Sequence, residues 1–139
     1  MKMKTFDAYK LLSQTPDGKL WSYNSVAVVG DYAKLCENSL YFAVEYKLLT
    51  WARPKLKGTK LFALKDRISR YDSSFLLHVR LFRCKVTTPE DITRQVNCPY
   101  ADEIANLWEH RDTWCQEPLF SGTILVGKVM LLEEVDFLQ

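Results

Sequence analysis

Leu76-Leu77-His78-Val79-Arg80-Leu81-Phe82-Arg83-Cys84-Lys85-Val86 is the stretch on which the fold reading turns. Apolar side chains alternate with Arg80, Arg83 and Lys85, the period-two pattern of a half-buried strand. The phase slips at Leu81-Phe82, where two apolar residues stand together, and this predicts a bulge. The alternation turns Cys84 towards the core as a small buried hydrophobe.

Working back from this strand, Lys60-Leu61-Phe62-Ala63-Leu64 reads as a short strand after the loop Lys55-Leu56-Lys57-Gly58-Thr59. Lys65 to Ser74, with Ile68 and Tyr71 three apart, reads as a short helix. Ser39 to Trp51 fits period two over its first half, and Pro54 ends regular structure there. Ser25 to Val29 continues apolar and β-branched, closed by Gly30-Asp31. Thr5 to Leu12 predicts a first strand with Tyr9 and Leu11 on one face. Pro16-Asp17-Gly18 predicts the turn that leads into Leu20-Trp21-Ser22-Tyr23 as the returning strand.

Towards the C-terminus, Thr88-Pro89-Glu90-Asp91 has a helix-start pattern, with Thr88 as N-cap and Pro89 at the first position. Residues 99–111 predict a helix with Ala101, Ile104, Ala105 and Trp108 on one face. Ser121-Gly122-Thr123 is a turn, and Ile124 to Val135 reads as one last strand, on which Glu133 and Glu134 point to opposite faces. The expected architecture is a single α+β domain over residues 1–139: a mixed, mostly antiparallel sheet with one or two helices packed on one face.

The composition agrees with a folded domain. The chain has 139 residues, of which 47% are hydrophobic, 13% aromatic and 26% charged, enough apolar material for a core. No apolar run reaches the roughly 18–20 residues needed to span a bilayer. Met1-Lys2-Met3-Lys4 carries no apolar segment of the signal-peptide kind behind it. The expected location is a cytoplasm, and no membrane partner is expected. Cys36, Cys84, Cys98 and Cys115 form no C-x-x-C pair and are read as reduced thiols. His110 and Cys115 are two ligands, too few for a zinc site. Nucleotide-binding glycine motifs, G-x-S-x-G and zinc-hydrolase motifs are absent, so no catalytic residues, metal or cofactor are assigned.

Charge is the stronger signal. The net charge of +2 conceals a middle segment, residues 47–85, with eleven basic and two acidic side chains, and a final segment, 86–139, with three basic and ten acidic. The halves neutralise each other across the fold, or the basic band binds phosphate, or the acidic part docks on a basic surface. The candidate binding residues follow from the last two. One set is Trp51, Arg53, Lys55, Lys57, Lys60, Lys65, Arg67 and Arg70, where cations for phosphate interleave with aromatic rings. Trp51, beside Arg53 and Pro54, is the ring expected in an exposed loop. The other set is Asp102, Glu103 and Glu109 on the acidic helix.

Four stretches together resemble small uncharacterised accessory proteins of phages and prophages: Asp17-Gly18-Lys19-Leu20, Tyr46 to Phe62, Arg80 to Val86, and Gly122 to Val135. The resemblance implies a product acting in a bacterial host cytoplasm. Such proteins often block host defence, as anti-CRISPR proteins do. It therefore implies a non-enzymatic inhibitor that occupies a nucleic-acid or protein surface of a defence protein or ribonucleoprotein, or that binds a nucleotide signal. A second resemblance is to the ADP-ribosyltransferase fold, carried by Ser39-Leu40-Tyr41-Phe42-Ala43 and the F-x-C-x-V strand at Phe82 to Val86. That family uses an Arg or His on an early strand to anchor NAD and a late Glu. Here Lys10 stands on the early strand, and Glu117 or Glu134 is the late acid. A third reading is a phage protein without a ligand, whose charge asymmetry is intramolecular.

Overall fold

The computed structural model describes residues 4–22, 26–29, 32–35, 43–55, 60–69, 79–91 and 122–138. Its strands are β1 (Phe6–Gln14), β2 (Leu20–Ser22), β3 (Val26–Val29), β4 (Tyr32–Leu35), β5 (Glu45–Tyr46) and β6 (Trp51–Ala52). They continue with β7 (Leu61–Leu64), β8 (Val79–Val86), β9 (Glu90–Asp91), β10 (Thr123–Val126) and β11 (Val129–Val135). The strands β3 and β4 make a separate hairpin. The other nine form one sheet in the order β6-β11-β8-β1-β7-β10-β9, with β2 and β5 attached through β1. Every pairing between these strands is antiparallel.

The strands β1 and β8 form the spine, in unbroken register from Phe6↔Val86 to Ser13↔Val79. The turn after β1 is local chemistry. Gly18 takes φ +86°, open to it because it lacks a Cβ. The Thr15 amide donates to Lys19 O at 3.0 Å, and the Asp17 carboxylate accepts from the Lys19 amide at 3.2 Å. This delivers Leu20 opposite Gln14.

Pairing also closes on itself. Strand β2 pairs with β5, Leu48 bridges Leu131 of β11, β11 pairs with β8, and β8 returns to β1. The inner face of this circuit holds the main core: Ala8, Leu12, Tyr46, Ala52, Phe82, Cys84, Val86, Val129 and Leu131, joined by Leu61, Ala63, Ile124 and Val126 from β7 and β10. The opposite face of β1 and β8 carries Leu11 and Leu81, covered by Leu64, Ile68 and Phe137.

This corrects the expected fold class. Among the described residues there is no helix, and the sheet is antiparallel throughout. Among the described residues, the face of β1 and β8 that carries Leu11 and Leu81 is covered by irregular chain at 65–69 and 136–138. Ile68 O accepts from the Leu138 amide at 3.0 Å, and Ser69 bridges Leu138, which lays Phe137 over Leu81. The Lys65–Ser74 helix is thereby excluded over its described part, 65–69. The helix start at Thr88 is also absent. Thr88 takes φ +43°, which is not a capping conformation, and Glu90–Asp91 pairs with β10. The helix expected at 99–111 lies outside the described residues.

Two further readings change. The apolar doublet Leu81-Phe82 marks no bulge in β8, because both faces of the sheet are buried there. The register break lies on the partner strand, between Leu131 and Glu133. Ile124 to Val135 is two strands, not one, broken at Gly127-Lys128. The opposite orientation of Glu133 and Glu134 holds: Glu133 meets Arg83 on one face and Glu134 meets Arg80 on the other.

Candidate cationic corner

The breaking of the last strand gathers charge. Strand β6 pairs with β11 at Ala52↔Val129, so the next positions outward are Arg53 and Lys128. Strand β7 pairs with β10 at Leu61↔Val126, so the next positions outward are Lys60 and Gly127. The connection 53–60 thus starts and ends beside the same two-residue corner, Gly127-Lys128. It carries Arg53, Lys55, Lys57 and Lys60 and no acid. Arg53 and Lys55 are exposed, and Lys60 and Lys128 are half-buried.

The end of β8 supports this corner. The Gly127 amide donates to Thr87 O at 3.0 Å, and the Thr87 amide donates to Lys128 O at 3.2 Å. The approach is close enough that a side chain here would have to displace a threonine hydroxyl. A Cβ at Gly127 would lie 2.7 Å from Thr88 Oγ1 and 3.0 Å from Thr87 Oγ1. Thr87 is buried and Thr88 exposed, so one hydroxyl-bearing residue of the pair faces solvent beside the cations. Chemically, the corner offers several cations and a threonine within one small region, which suits an extended anion better than a reaction.

The predicted basic band is divided. Arg53 and Lys60 flank the corner, with Lys55 two residues beyond Arg53, and they are joined by Lys128, which the sequence reading did not single out. The signal for it was the Gly-Lys step inside an apolar run, which can mark a chain break. Lys65 and Arg67 lie past the opposite end of β7, where the Lys65 amide donates to Gly122 O at 2.9 Å and the Arg67 guanidinium stands 5.7 Å from the Tyr9 ring centre. Trp51 is not in a loop: it pairs with Met130 in β6 and is half-buried. Lys57, Arg70, Asp102, Glu103 and Glu109 lie outside the described residues, as do Cys36, Cys98, Cys115 and both histidines.

The cations of β8 are used differently. Arg80 holds Glu134 through contacts of 2.6 and 2.9 Å and donates to Gln14 Oε1 at 2.7 Å. Arg83 meets Glu133 at 3.0 Å, and Lys85 meets Asp7 at 2.7 Å. The Arg80 contact holds the Glu134 carboxyl below its usual range, and Lys85 does the same to Asp7. Part of the sequence-level charge asymmetry is therefore neutralised within the chain, by cross-strand pairs.

A second cluster is buried. Lys10 is 3% exposed on the inner face of β1. Its ammonium donates to Phe62 O and lies 5.2 Å from the centre of the Tyr46 ring, with Cys84 close enough to interact electrostatically. Burial lowers the Lys10 amine to about 8, raises the Cys84 thiol to about 12, and raises the Tyr46 phenol. In each case desolvation disfavours the charged form. No group of three or more candidate metal ligands occurs among the described residues, and no helix there is long and apolar enough to cross a membrane. No family model matches the chain, and no curated protein or solved structure matches it either.

Proposed function

We propose that the protein is a non-enzymatic binding protein of the phage accessory kind, working in a bacterial cytoplasm. It inhibits a host defence component, such as a CRISPR effector, by occupying a polyanionic nucleic-acid or protein surface. The observation that supports this reading is the convergence of Arg53, Lys60 and Lys128 at one corner, with Lys55 between the first two in sequence. The cations of β8 hold carboxylates of the same chain.

The test is recovery of partners by the tagged protein from bacterial lysate, with and without nuclease. The wild type is compared with R53E/K60E/K128E and with D102K/E103K/E109K, and melting curves establish that each variant is folded. Loss of the partner in the corner variant alone supports the reading. Unchanged recovery in that variant refutes it. Sensitivity to nuclease distinguishes nucleic acid from protein as the surface bound.

A further inference from the structure

We propose that the tip formed by Leu48 and Leu49, flanked by cations of the corner, is a peripheral contact for an anionic bilayer. These two leucines are 54% and 68% exposed, adjacent in sequence, and the most exposed large apolar side chains among the described residues. Single exposed leucines are ordinary, whereas two together at the summit of a tight, tied connection form a small wedge.

The backbone holds that wedge outward. The Leu49 amide donates to Leu131 O at 2.8 Å, the Thr50 amide to Lys47 O at 3.3 Å, and the Thr50 hydroxyl to Leu48 O at 3.3 Å. Leu49 sits at φ +59°, the left-handed region, where a side chain carries a steric cost. Glycine would make this turn without strain. Leucine makes it while projecting an isobutyl group into solvent, and strain of this kind concentrates at functional contacts.

The surroundings select the occupant. Lys47 stands beside the leucines, and Arg53 and Lys55 follow along the same edge, all exposed. The nearby acids are already engaged: Glu45 is shared between Lys47 at 3.8 Å and Lys19 at 4.0 Å, and Glu133, two positions past Leu131, meets Arg83 at 3.0 Å. Leu48 bridges Leu131, and Lys128 lies three positions back along β11, roughly 10 Å at the strand rise. A second copy of this chain docked tip to tip would bring cations against cations. A nucleic-acid backbone offers leucine side chains no apolar site. An anionic bilayer satisfies both components, with apolar side chains in the acyl boundary and cations at the headgroups. The expectation of no membrane partner rested on the lack of a spanning segment, and a peripheral contact needs none.

The experiment is cosedimentation of the full chain with vesicles of phosphatidylglycerol and phosphatidylcholine in equal parts, and with phosphatidylcholine alone. The expected result is binding to the anionic vesicles that weakens as salt rises. L48D/L49D should lower that binding roughly tenfold or more, with an unchanged melting temperature because both side chains are exposed. L49N, which keeps the left-handed turn while removing one apolar group, should give a smaller loss. Absence of binding to anionic vesicles at low salt overturns the proposal, as does equal binding to phosphatidylcholine alone. Binding that survives L48D/L49D and is lost in R53E/K60E/K128E also overturns it, leaving adsorption by the corner. Loss of a lysate protein in L48D/L49D without any vesicle binding would assign the tip to an apolar socket on a protein instead.

Discussion

The Lys10 ammonium lies 5.2 Å from the centre of the Tyr46 ring, inside the sheet, where no carboxylate of the described residues pairs with it. A lysine so deeply enclosed is almost always paired. Here the Phe62 carbonyl and the ring face supply what compensation there is. The charge therefore costs stability, and the cost is measurable.

Lowering the amine from 10.5 to about 8 corresponds to about 3 kcal/mol. Lys10→Met should recover much of this at pH 7, less the hydrogen bond to Phe62. The sign in pH follows from proton uptake. Between pH 8 and 10.5 the folded chain has released the Lys10 proton and the unfolded chain still holds it, so the Lys10 contribution to stability rises with pH. Cys84 works the other way from about pH 9, since its folded thiol keeps a proton that the unfolded chain loses. Comparing wild type with Lys10→Met by urea denaturation at pH 7 and pH 10 isolates the lysine. The advantage of the variant should shrink at the higher pH. A variant less stable than wild type at pH 7, or a gap that ignores pH, would sink this account.

A side chain at Gly127 should be destabilising while the Thr88 hydroxyl stands against it. Gly127→Ala places a Cβ 2.7 Å from Thr88 Oγ1 and should cost about 1–3 kcal/mol. Combining it with Thr88→Ala removes that oxygen, and the cost of the glycine substitution should then be smaller. Thermal melts of the four members of this cycle give the coupling directly. Additive effects would show that the close approach does not exist in solution.

The pair Arg80–Glu134 is well formed yet partly exposed, at 36% and 44% for the two side chains, so it should contribute about 0.5–1 kcal/mol and no more. Glu134 is held below its usual range, so this contribution is complete above the ordinary carboxylate range near 4.3 and is lost as pH falls through the lower folded value. Glu134→Gln should therefore weaken the fold slightly at pH 7 and not at pH 2. A variant effect that persists at pH 2 would point to packing rather than charge.

Local chemistry determined a good deal by itself. The Asp17-Gly18 turn follows from residue types that need no distant partner, and the strands at Phe6–Gln14, Leu61–Leu64 and Val79–Val86 follow from alternation. The burial of Cys84 and the divergence of Glu133 from Glu134 follow from a side-chain period of two. Part of the candidate site was legible for the same reason: Arg53, Lys55 and Lys60 stand out as a run of cations around Pro54.

What surrounds each strand was decided only in three dimensions. Thr88-Pro89-Glu90-Asp91 is a sound local start for a helix, but pairing of Glu90 and Asp91 with β10 outweighs it. Leu81 and Phe82 break the alternation of one half-buried face, and only the cover provided by Ile68 and Phe137 turns that break into burial on both. Lys10 stands on the early strand on the face away from Tyr9 and Leu11, and its burial follows only from the packing that brings Tyr46 of β5 beside it. Lys128 joins Arg53 and Lys60 because two antiparallel registers, β6 with β11 and β7 with β10, end beside one glycine. These outcomes depend on contacts between residues far apart in the chain, whose closing entropy is repaid by burial that no window of sequence contains.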